Sequence, residues 1–159
     1  MGRRLGQHFL ADYRTAQKIA AAASIGPDDL VLEIGGGRGA LTEHLVGQGA
    51  RLVVAELDEA LADGLTERFG PAAQVESGDI LQLDLDSLGT PRPWVVVGNL
   101  PYYLTSEIIL WLCAHRRSID RALIMVQAEV AERLAAEPGT EAWGRLSVLV
   151  QYHAEVELL

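Results

Sequence analysis

The sequence predicts an α/β protein, with helices on both faces of an open, doubly wound parallel sheet. Apolar strand-like runs alternate along the chain with segments of helical periodicity, and several of these runs are uninterrupted, as in strands buried on both faces. A glycine cluster follows the first run directly. A chain of 159 residues, 49% of them hydrophobic, can bury one core, so a single domain is expected over residues 1–159.

The apolar pattern predicts the elements in order. An amphipathic helix is predicted over 12–24, and strands over 30–34, 52–55, 74–76, 94–97 and 122–126. Helices between the strands are indicated by apolar stripes at Leu41 and Leu45; Leu61, Leu65 and Phe69; Ile108, Ile109 and Leu112; and Val130 and Leu134. A further helix carries Leu146, Leu149 and Val150, and a strand is expected to start at 155–159. A ligand crevice is expected at the carboxyl ends of the strands.

The net charge of −9 comes from 13 basic and 22 acidic side chains. An acidic body repels a polyanion at long range, which argues against a general nucleic-acid coat protein. Arg116, Arg117 and Arg121 form a local basic cluster. Solvated surface is the preferred interpretation of this cluster, and phosphate contact is the alternative.

Other residues exclude several classes of protein. No apolar stretch approaches the ~20 residues of a membrane-spanning helix, and no signal peptide is readable, so a cytoplasmic protein is expected. The single cysteine, Cys113, cannot form an internal disulfide. No metal site is predicted, because His44, His115 and His153 stand at unrelated spacings.

The glycine-rich turn of residues 35–39 directly follows the first predicted strand and opens a helix. Its spacing fits neither the dinucleotide fingerprint nor a P-loop, although its glycines let the backbone approach a ligand closely. Glu56 ends the second strand, where a carboxylate can accept the hydroxyls of a ribose, and Asp79 ends the third, where it can accept an adenine amine. These strand ends together predict methionine-, ribose- and adenine-type contacts. A tight connection and a simple turn residue are the alternatives.

Residues Asn99, Leu100, Pro101 and Tyr102 follow the fourth strand. An exocyclic adenine amine is a weak nucleophile, because its lone pair is delocalised into the ring. The Asn99 side-chain oxygen and the Leu100 carbonyl can accept its two hydrogens, Pro101 fixes the backbone, and Tyr102 offers a ring for an extruded base. This corner predicts methyl transfer to an adenine amine from a sulfonium donor, although a strand-ending turn with a buried tyrosine would have the same pattern.

At this point the chain resembles the small-subunit (16S) ribosomal RNA adenine N6,N6-dimethyltransferases, a family of S-adenosylmethionine-dependent methyltransferases. The resemblance rests on LGQHFL at 5–10, LEIGGGRGALT at 32–42, ELD at 56–58, GDIL at 78–81, NLPY at 99–102, MVQAEVAERL at 125–134 and GRLSV at 144–148. It implies a Rossmann-like class I methyltransferase fold and S-adenosyl-L-methionine as cofactor.

The resemblance also implies roles for individual residues. Cofactor-binding residues would be His8, Leu10, Gly35, Gly37, Glu56, Asp79 and Asn99, and the catalytic residues would be Asn99, Leu100, Pro101 and Tyr102. The expected reaction is dimethylation of two adjacent adenines in a hairpin near the 3′ end of small-subunit rRNA, within the immature subunit, during ribosome maturation. The chain departs from the family where His8 replaces a usual asparagine, Gly36 a common proline, and Tyr103 and Leu104 a shorter polar pair.

Members of the resembled family continue into a last antiparallel strand and a small helical domain that helps to grip RNA. We therefore expect the sequence to be a fragment that holds the S-adenosylmethionine-binding catalytic domain without that helical domain. The 122–126 strand would then be an exposed edge, open to strand-mediated pairing between chains.

Three other functions remain open. The sister group that methylates large-subunit rRNA and confers macrolide resistance shares the pocket motifs, and Leu100 with the 131–147 stretch favours the small-subunit group. A catalytically silent RNA-binding assembly factor on the same fold is disfavoured by the intact Glu56 and 99–102 corner. A nicotinamide oxidoreductase is disfavoured by the glycine spacing.

Overall fold

A computed structural model of the chain describes residues 13–49, 51–88 and 93–159. Its centre is a five-stranded sheet in the order β3-β2-β1-β4-β5, and every neighbouring pair is parallel. The strands are β1 Leu30–Ile34, β2 Arg51–Glu56, β3 Gln74–Ser77, β4 Trp94–Asn99 and β5 Ile119–Met125. All five lie where the apolar runs predicted them, so the prediction of a parallel α/β sheet is confirmed.

Six α-helices connect and cover these strands in the described parts of the chain. They are α1 Tyr13–Ala22, α2 Thr42–Leu45, α3 Glu59–Phe69, α4 Thr105–Ala114, α5 Ala128–Leu134 and α6 Arg145–His153. Helices α3 to α6 contain their predicted apolar stripes, whereas α2 is a single turn that contains Leu45 and begins directly after Leu41. Two short 3₁₀ helices, 80–82 and 85–88, follow β3. Within the same residues, no helix has the length and apolarity that crossing a membrane requires.

The alternation of side chains along the strands divides the apolar residues into two cores, one on each face of the sheet. Leu32, Val53 and Val96 belong to the core that also contains residues of α4, α5 and α6. Val31 and Val95, next to them in the sequence, belong to the core that contains residues of α1, α2 and α3. The sheet is therefore doubly wound, and its central strands are buried on both faces.

The N-terminus of α3 is fixed by its capping residue. The Asp58 carboxylate accepts hydrogen bonds from the backbone N–H groups of Ala60 and Leu61, at 3.0 and 3.2 Å. This cap satisfies two donors that the first helical turn leaves without a partner. Because Asp58 lies two residues beyond the end of β2, it also sets the direction in which the chain leaves the sheet.

Helices α5 and α6 are joined by side chains of the 144–151 segment. The Ser147 hydroxyl donates to the Arg133 carbonyl at 2.6 Å and accepts from the Gly144 N–H at 3.1 Å. The Gln151 amide donates to the Leu134 and Ala136 carbonyls at 2.9 Å each. These hydrogen bonds hold the C-terminal end of α5 against α6, so Ser147 and Gln151 have a structural role.

Residues 155–159 do not form the strand predicted for them. They have no regular secondary structure, and the side chains of Leu158 and Leu159 are exposed to solvent. A strand is stable only when its backbone is paired, and no strand of the described residues lies beyond β5 to pair with it. The prediction that the strand at 122–126 would lie at an edge of the sheet is confirmed by β5.

Arg121 of the basic cluster is engaged in structural contacts. Its guanidinium donates to the Asp29 carboxylate at 2.8 Å and to the Ser24 carbonyl at 2.9 Å, which ties the segment after α1 to β5. Hydrogen bonding by the Gly26 N–H, and then by Arg121, lowers the pKa of Asp29. The arginine therefore serves the fold at the end of the sheet opposite the carboxyl ends of the strands.

Candidate functional site

A cavity opens at the carboxyl ends of the strands, where the strand order reverses between β1 and β4. This switch point is where doubly wound sheets bind ligands. Of the predicted site residues, the following line this one cavity: Gly35, Gly37, Glu56, Asp79, Asn99, Leu100, Pro101 and Tyr102. His8 and Leu10 lie outside the described residues.

The glycine-rich turn forms the floor of the cavity next to β1. The Gly35 N–H donates to the Ala55 carbonyl at 2.8 Å, so the turn begins with its backbone bonded to the end of β2. Gly35 has a φ of 76° and Gly39 a φ of 82°, values that other residues adopt at a cost. At Gly39 a Cβ would also lie 2.6 Å from the Phe69 ring. Conformation and space therefore both require glycine there.

Glu56 holds the glycine-rich turn in place. One carboxylate oxygen accepts from the Gly37 N–H at 2.8 Å and the other from the Asp58 N–H at 3.0 Å. The residue is 3% exposed, and its carboxylate still faces the cavity. Because an ionised carboxylate has about four acceptor positions, the two oxygens retain capacity for the hydroxyls of a ligand.

Asp79 lies beside Glu56 at the neighbouring strand end. The Gly78 N–H donates to the Glu56 carbonyl at 2.9 Å, which keeps the ends of β2 and β3 together. One Asp79 oxygen accepts from the Leu81 N–H at 3.0 Å and begins the 3₁₀ helix of 80–82. The carboxylate is thereby oriented at the cavity wall with its second oxygen available to a donor on a ligand.

The corner after β4 is fixed by backbone hydrogen bonds. The Leu100 N–H donates to the Met125 carbonyl of β5 at 3.0 Å, and Leu100 is buried. The Pro101 carbonyl accepts from the Leu104 N–H at 3.1 Å and from the Thr105 hydroxyl at 3.0 Å. Tyr102 stands on this fixed turn with 45% of its surface exposed. The corner is therefore rigid in its backbone and presents an aromatic ring at the mouth.

Glu33, which the sequence analysis did not assign to the site, lies beneath the glycine-rich turn and lines the cavity. Burial raises its pKa to about 7, Thr42 partly offsets this increase, and the charge of Glu56 adds to it. Neither Glu33 carboxylate oxygen has a hydrogen bond of regular geometry to any described residue, and neither does the Thr42 hydroxyl. A buried carboxyl group without such partners is costly unless a cation or a hydrogen-bond donor binds to it.

The arrangement suits a ligand with a nucleoside at one end and a positive charge at the other. Carboxylates at the ends of β2 and β3 can accept hydroxyl and amine hydrogens, and Glu33 can receive a cation. The turn of residues 99–102, called the Asn99 corner, follows β4 and so lies on the far side of β1 from the carboxylates of β2 and β3, where a second molecule could approach. Tyr103 also lines the cavity and was not predicted to. Among the described residues, no group of His, Cys, Asp and Glu side chains is arranged to hold a metal ion.

A model of the family described as ribosomal RNA adenine dimethylase matches residues 2–159. The chain is 48% identical to the ribosomal RNA small subunit methyltransferase A of Pseudomonas savastanoi pv. phaseolicola, with 99% of this chain and 60% of that protein covered. It is 46% identical to the protein of the same name from Acidobacterium capsulatum, with 98% and 56% covered. The chain thus spans 56–60% of the length of these curated relatives.

Solved structures show the same fold. A dimethyladenosine transferase from Plasmodium falciparum superposes with a TM-score of 0.79 at 30% identity, over 91% of this chain and 52% of that one. The 23S rRNA methyltransferase ErmE superposes with a TM-score of 0.77 at 34% identity, over 89% and 56%. Both are similar to this chain over nearly all of its length, which confirms the class I methyltransferase architecture.

Substituting Gly36→Ala should lower the free energy of unfolding by about 1–3 kcal/mol, the usual cost of overpacking. A Cβ at this position would lie 2.5 Å from a Val54 methyl group and 2.8 Å from a Leu65 methyl group. Gly64→Ala, in the middle of α3 with open space around its Cβ position, is the matched control. It should be stabilising by about 0.5–1 kcal/mol. Urea unfolding measures both, and equal effects would contradict the steric argument.

Substituting Glu33→Gln should flatten the pH dependence of stability between about pH 4.5 and 7. In this range the unfolded chain releases the Glu33 proton and the folded chain retains it, so the wild type loses stability as the pH rises, by roughly 3 kcal/mol. The measurement is the unfolding free energy at pH 5 and pH 8. Glu129→Gln, at an exposed site on α5, serves as the control. A Glu33→Gln profile parallel to that of the wild type would refute the assignment.

Proposed function

The chain belongs to the ribosomal RNA adenine dimethylase family, and from this we propose that it transfers methyl groups from S-adenosyl-L-methionine to adenine N6 amines of small-subunit rRNA. The observation that carries the proposal is a single cavity in which carboxylates from β2 and β3, the glycine-rich turn and the Asn99 corner face one space. The donor fits because the buried carboxyl group of Glu33, which has no hydrogen bond of regular geometry among the described residues, lines this cavity and can be compensated by the donor's positive charge.

The proposed binding of the donor divides its contacts among strand ends. Glu56 accepts the ribose hydroxyls, Asp79 accepts the adenine amine, and the turn at Gly35 and Gly37 lets the amino-acid part lie close to the backbone. His8 and Leu10 complete this set in the proposal by analogy with the resembled family. When bound, the cofactor supplies an electrophilic methyl group on a sulfonium sulfur.

The Asn99 corner positions the nitrogen that attacks this methyl group. The Asn99 side-chain oxygen and the Leu100 carbonyl accept the two amine hydrogens, which directs the nitrogen lone pair towards the methyl carbon. Pro101 keeps both acceptors in one orientation, and the target base stacks on Tyr102. No strong base is needed, because the amine becomes acidic only as it gains the methyl group; its proton would then pass to water, and the donor would leave as the neutral thioether S-adenosylhomocysteine. Position and electrostatics then supply the catalysis.

The proposed substrate is a pair of adjacent adenines in a hairpin near the 3′ end of small-subunit rRNA, within the immature subunit in the cytoplasm. Relatives that match 98–99% of the chain carry the name ribosomal RNA small subunit methyltransferase A, which favours this RNA. A 23S rRNA methyltransferase, 34% identical, represents the alternative. By the resemblance to this family, and because the chain spans 56–60% of these relatives' length, we include in the proposal a helical RNA-binding domain in the whole protein.

Substituting Glu56→Ala should weaken S-adenosylmethionine binding by at least about tenfold, since it removes the ribose acceptors and releases the Gly37 N–H. Isothermal titration of the cofactor into the purified chain measures this change. Glu129 is also a carboxylate, but it is exposed and does not line the cavity. Glu129→Ala should therefore bind the cofactor like the wild type. Unchanged affinity in Glu56→Ala would contradict the ribose assignment.

Substituting Asn99→Ala should reduce methyl transfer at saturating cofactor by roughly a hundredfold or more, because one of two acceptors for the target amine is lost. The measurement is incorporation of labelled methyl groups into immature small subunits, with the whole protein and with this chain. Immature large subunits provide the comparison that separates the two rRNA substrates. Faster labelling of large subunits would support the alternative, and no labelling of either would favour a silent assembly factor.

We also propose that this chain pairs with a second copy through the open side of β5. Among the described residues β5 is bonded to β4 alone, which leaves the outer backbone groups of an edge strand available. Light scattering should show a mass that increases with protein concentration. Substituting the exposed Ala122→Lys should suppress this increase, whereas Ala60→Lys at the exposed start of α3 should not. A monomer at all concentrations would exclude the pairing.

A further inference from the structure

Tyr103 contributes an aromatic ring to the cavity lining, and this ring has no role in the proposed reaction. It lies in the turn closed by the Leu104 N–H and the Pro101 carbonyl at 3.1 Å, just before α4. Its side chain is 44% exposed and lines the same cavity as Glu56 and Asp79. The fixed turn beneath it means that the ring needs no backbone rearrangement to meet a ligand.

Tyr103 lies within electrostatic range of two carboxylates that line the same cavity. Burial raises the pKa of its phenol, and the negative charges of Glu56 and Asp79 raise it further. These two carboxylates end strands on the far side of β1 from β4. Because the phenol senses both charges and lines the same cavity as both carboxylates, we place it beside the part of the cavity proposed for the ribose and the adenine of the donor.

Exposed hydrophobic side chains form part of the cavity lining. Of the large hydrophobic side chains that are exposed, Leu57, Tyr102 and Tyr103 all line the cavity, with 44%, 45% and 44% of their surfaces accessible. An apolar ring at a cavity mouth gains free energy when a flat aromatic ligand covers it, since both surfaces then leave water. The position is therefore suited to a purine.

We propose that Tyr103 is a cofactor-binding residue that closes over the adenosine end of the donor, while Tyr102 receives the target base. The proposal rests on the proposed function in that it takes this cavity as the donor site. The two consecutive tyrosines thus serve two different purines, one from each substrate. The ring of Tyr103 supplies the contact, in the same cavity as the two carboxylates proposed to hold the ribose and the adenine.

The test uses two ligands that share the 5′-thioadenosine end and differ in the amino-acid part, S-adenosylhomocysteine and 5′-methylthioadenosine. Substituting Tyr103→Ala should weaken both by the same factor, roughly five- to a hundredfold, the range found when a base loses an aromatic stacking partner. Tyr103→Phe keeps the ring and should stay within about threefold of the wild type. Tyr152→Ala, at a tyrosine of α6 that is 83% exposed and outside the cavity lining, is the matched control.

The outcomes separate this inference from the proposed function. A wild-type chain that binds neither ligand would overturn both. Binding that is lost in Glu56→Ala and unchanged in Tyr103→Ala would overturn the role of Tyr103 alone. A loss confined to S-adenosylhomocysteine would also overturn it, because the contact would then lie at the amino-acid end. Tyr103→Asn provides a second ring-free variant if thermal unfolding shows that Tyr103→Ala is not folded.

Discussion

The carboxylate of Glu56 joins the two segments on which the cavity depends. It ends β2 and accepts N–H groups from Gly37 in the glycine-rich turn and from Asp58 at the start of α3. Burial of this carboxylate is tolerated because both oxygens are hydrogen-bonded, in contrast to Glu33 beneath the same turn. The two acids therefore differ in role: Glu56 organises the site, and Glu33 carries a desolvation cost that a cationic ligand would relieve.

Most of the fold follows from local sequence pattern. The central strands are recognisable because burial on both faces demands uninterrupted apolar residues, and Trp94 to Val97 shows this clearly. The five residues after Ala154 show the limit of such reasoning. Their composition permits a strand, but pairing depends on a neighbour that composition does not reveal. The contacts of Arg121 with Asp29 and Ser24 were likewise invisible, since residues more than ninety positions apart meet only in the folded chain.

The site was predictable where its residues stand at the carboxyl ends of parallel strands, because the sheet brings such ends together whatever the sequence between them. This reasoning predicted that Glu56, Asp79 and the corner after β4 would lie together, and all of them line the cavity. It did not find the importance of Glu33, whose burial and lack of partners are properties of the folded interior. Nor did it find Tyr103, whose direction depends on the turn that precedes α4. The sequence therefore identifies candidate site residues, but only the folded structure shows which other side chains line the cavity.

The absence of a side chain at Gly36 leaves just enough room for Val54 and Leu65, which come from β2 and α3. These three positions cannot drift independently. A proline or an alanine at position 36 would fit only after a smaller residue had replaced Val54 or Leu65. If the substitution at position 36 came first, the intermediate sequence would be destabilised. Epistasis of this kind ties a residue beside the site to residues of the interior, so a substitution harmless in one background is damaging in another.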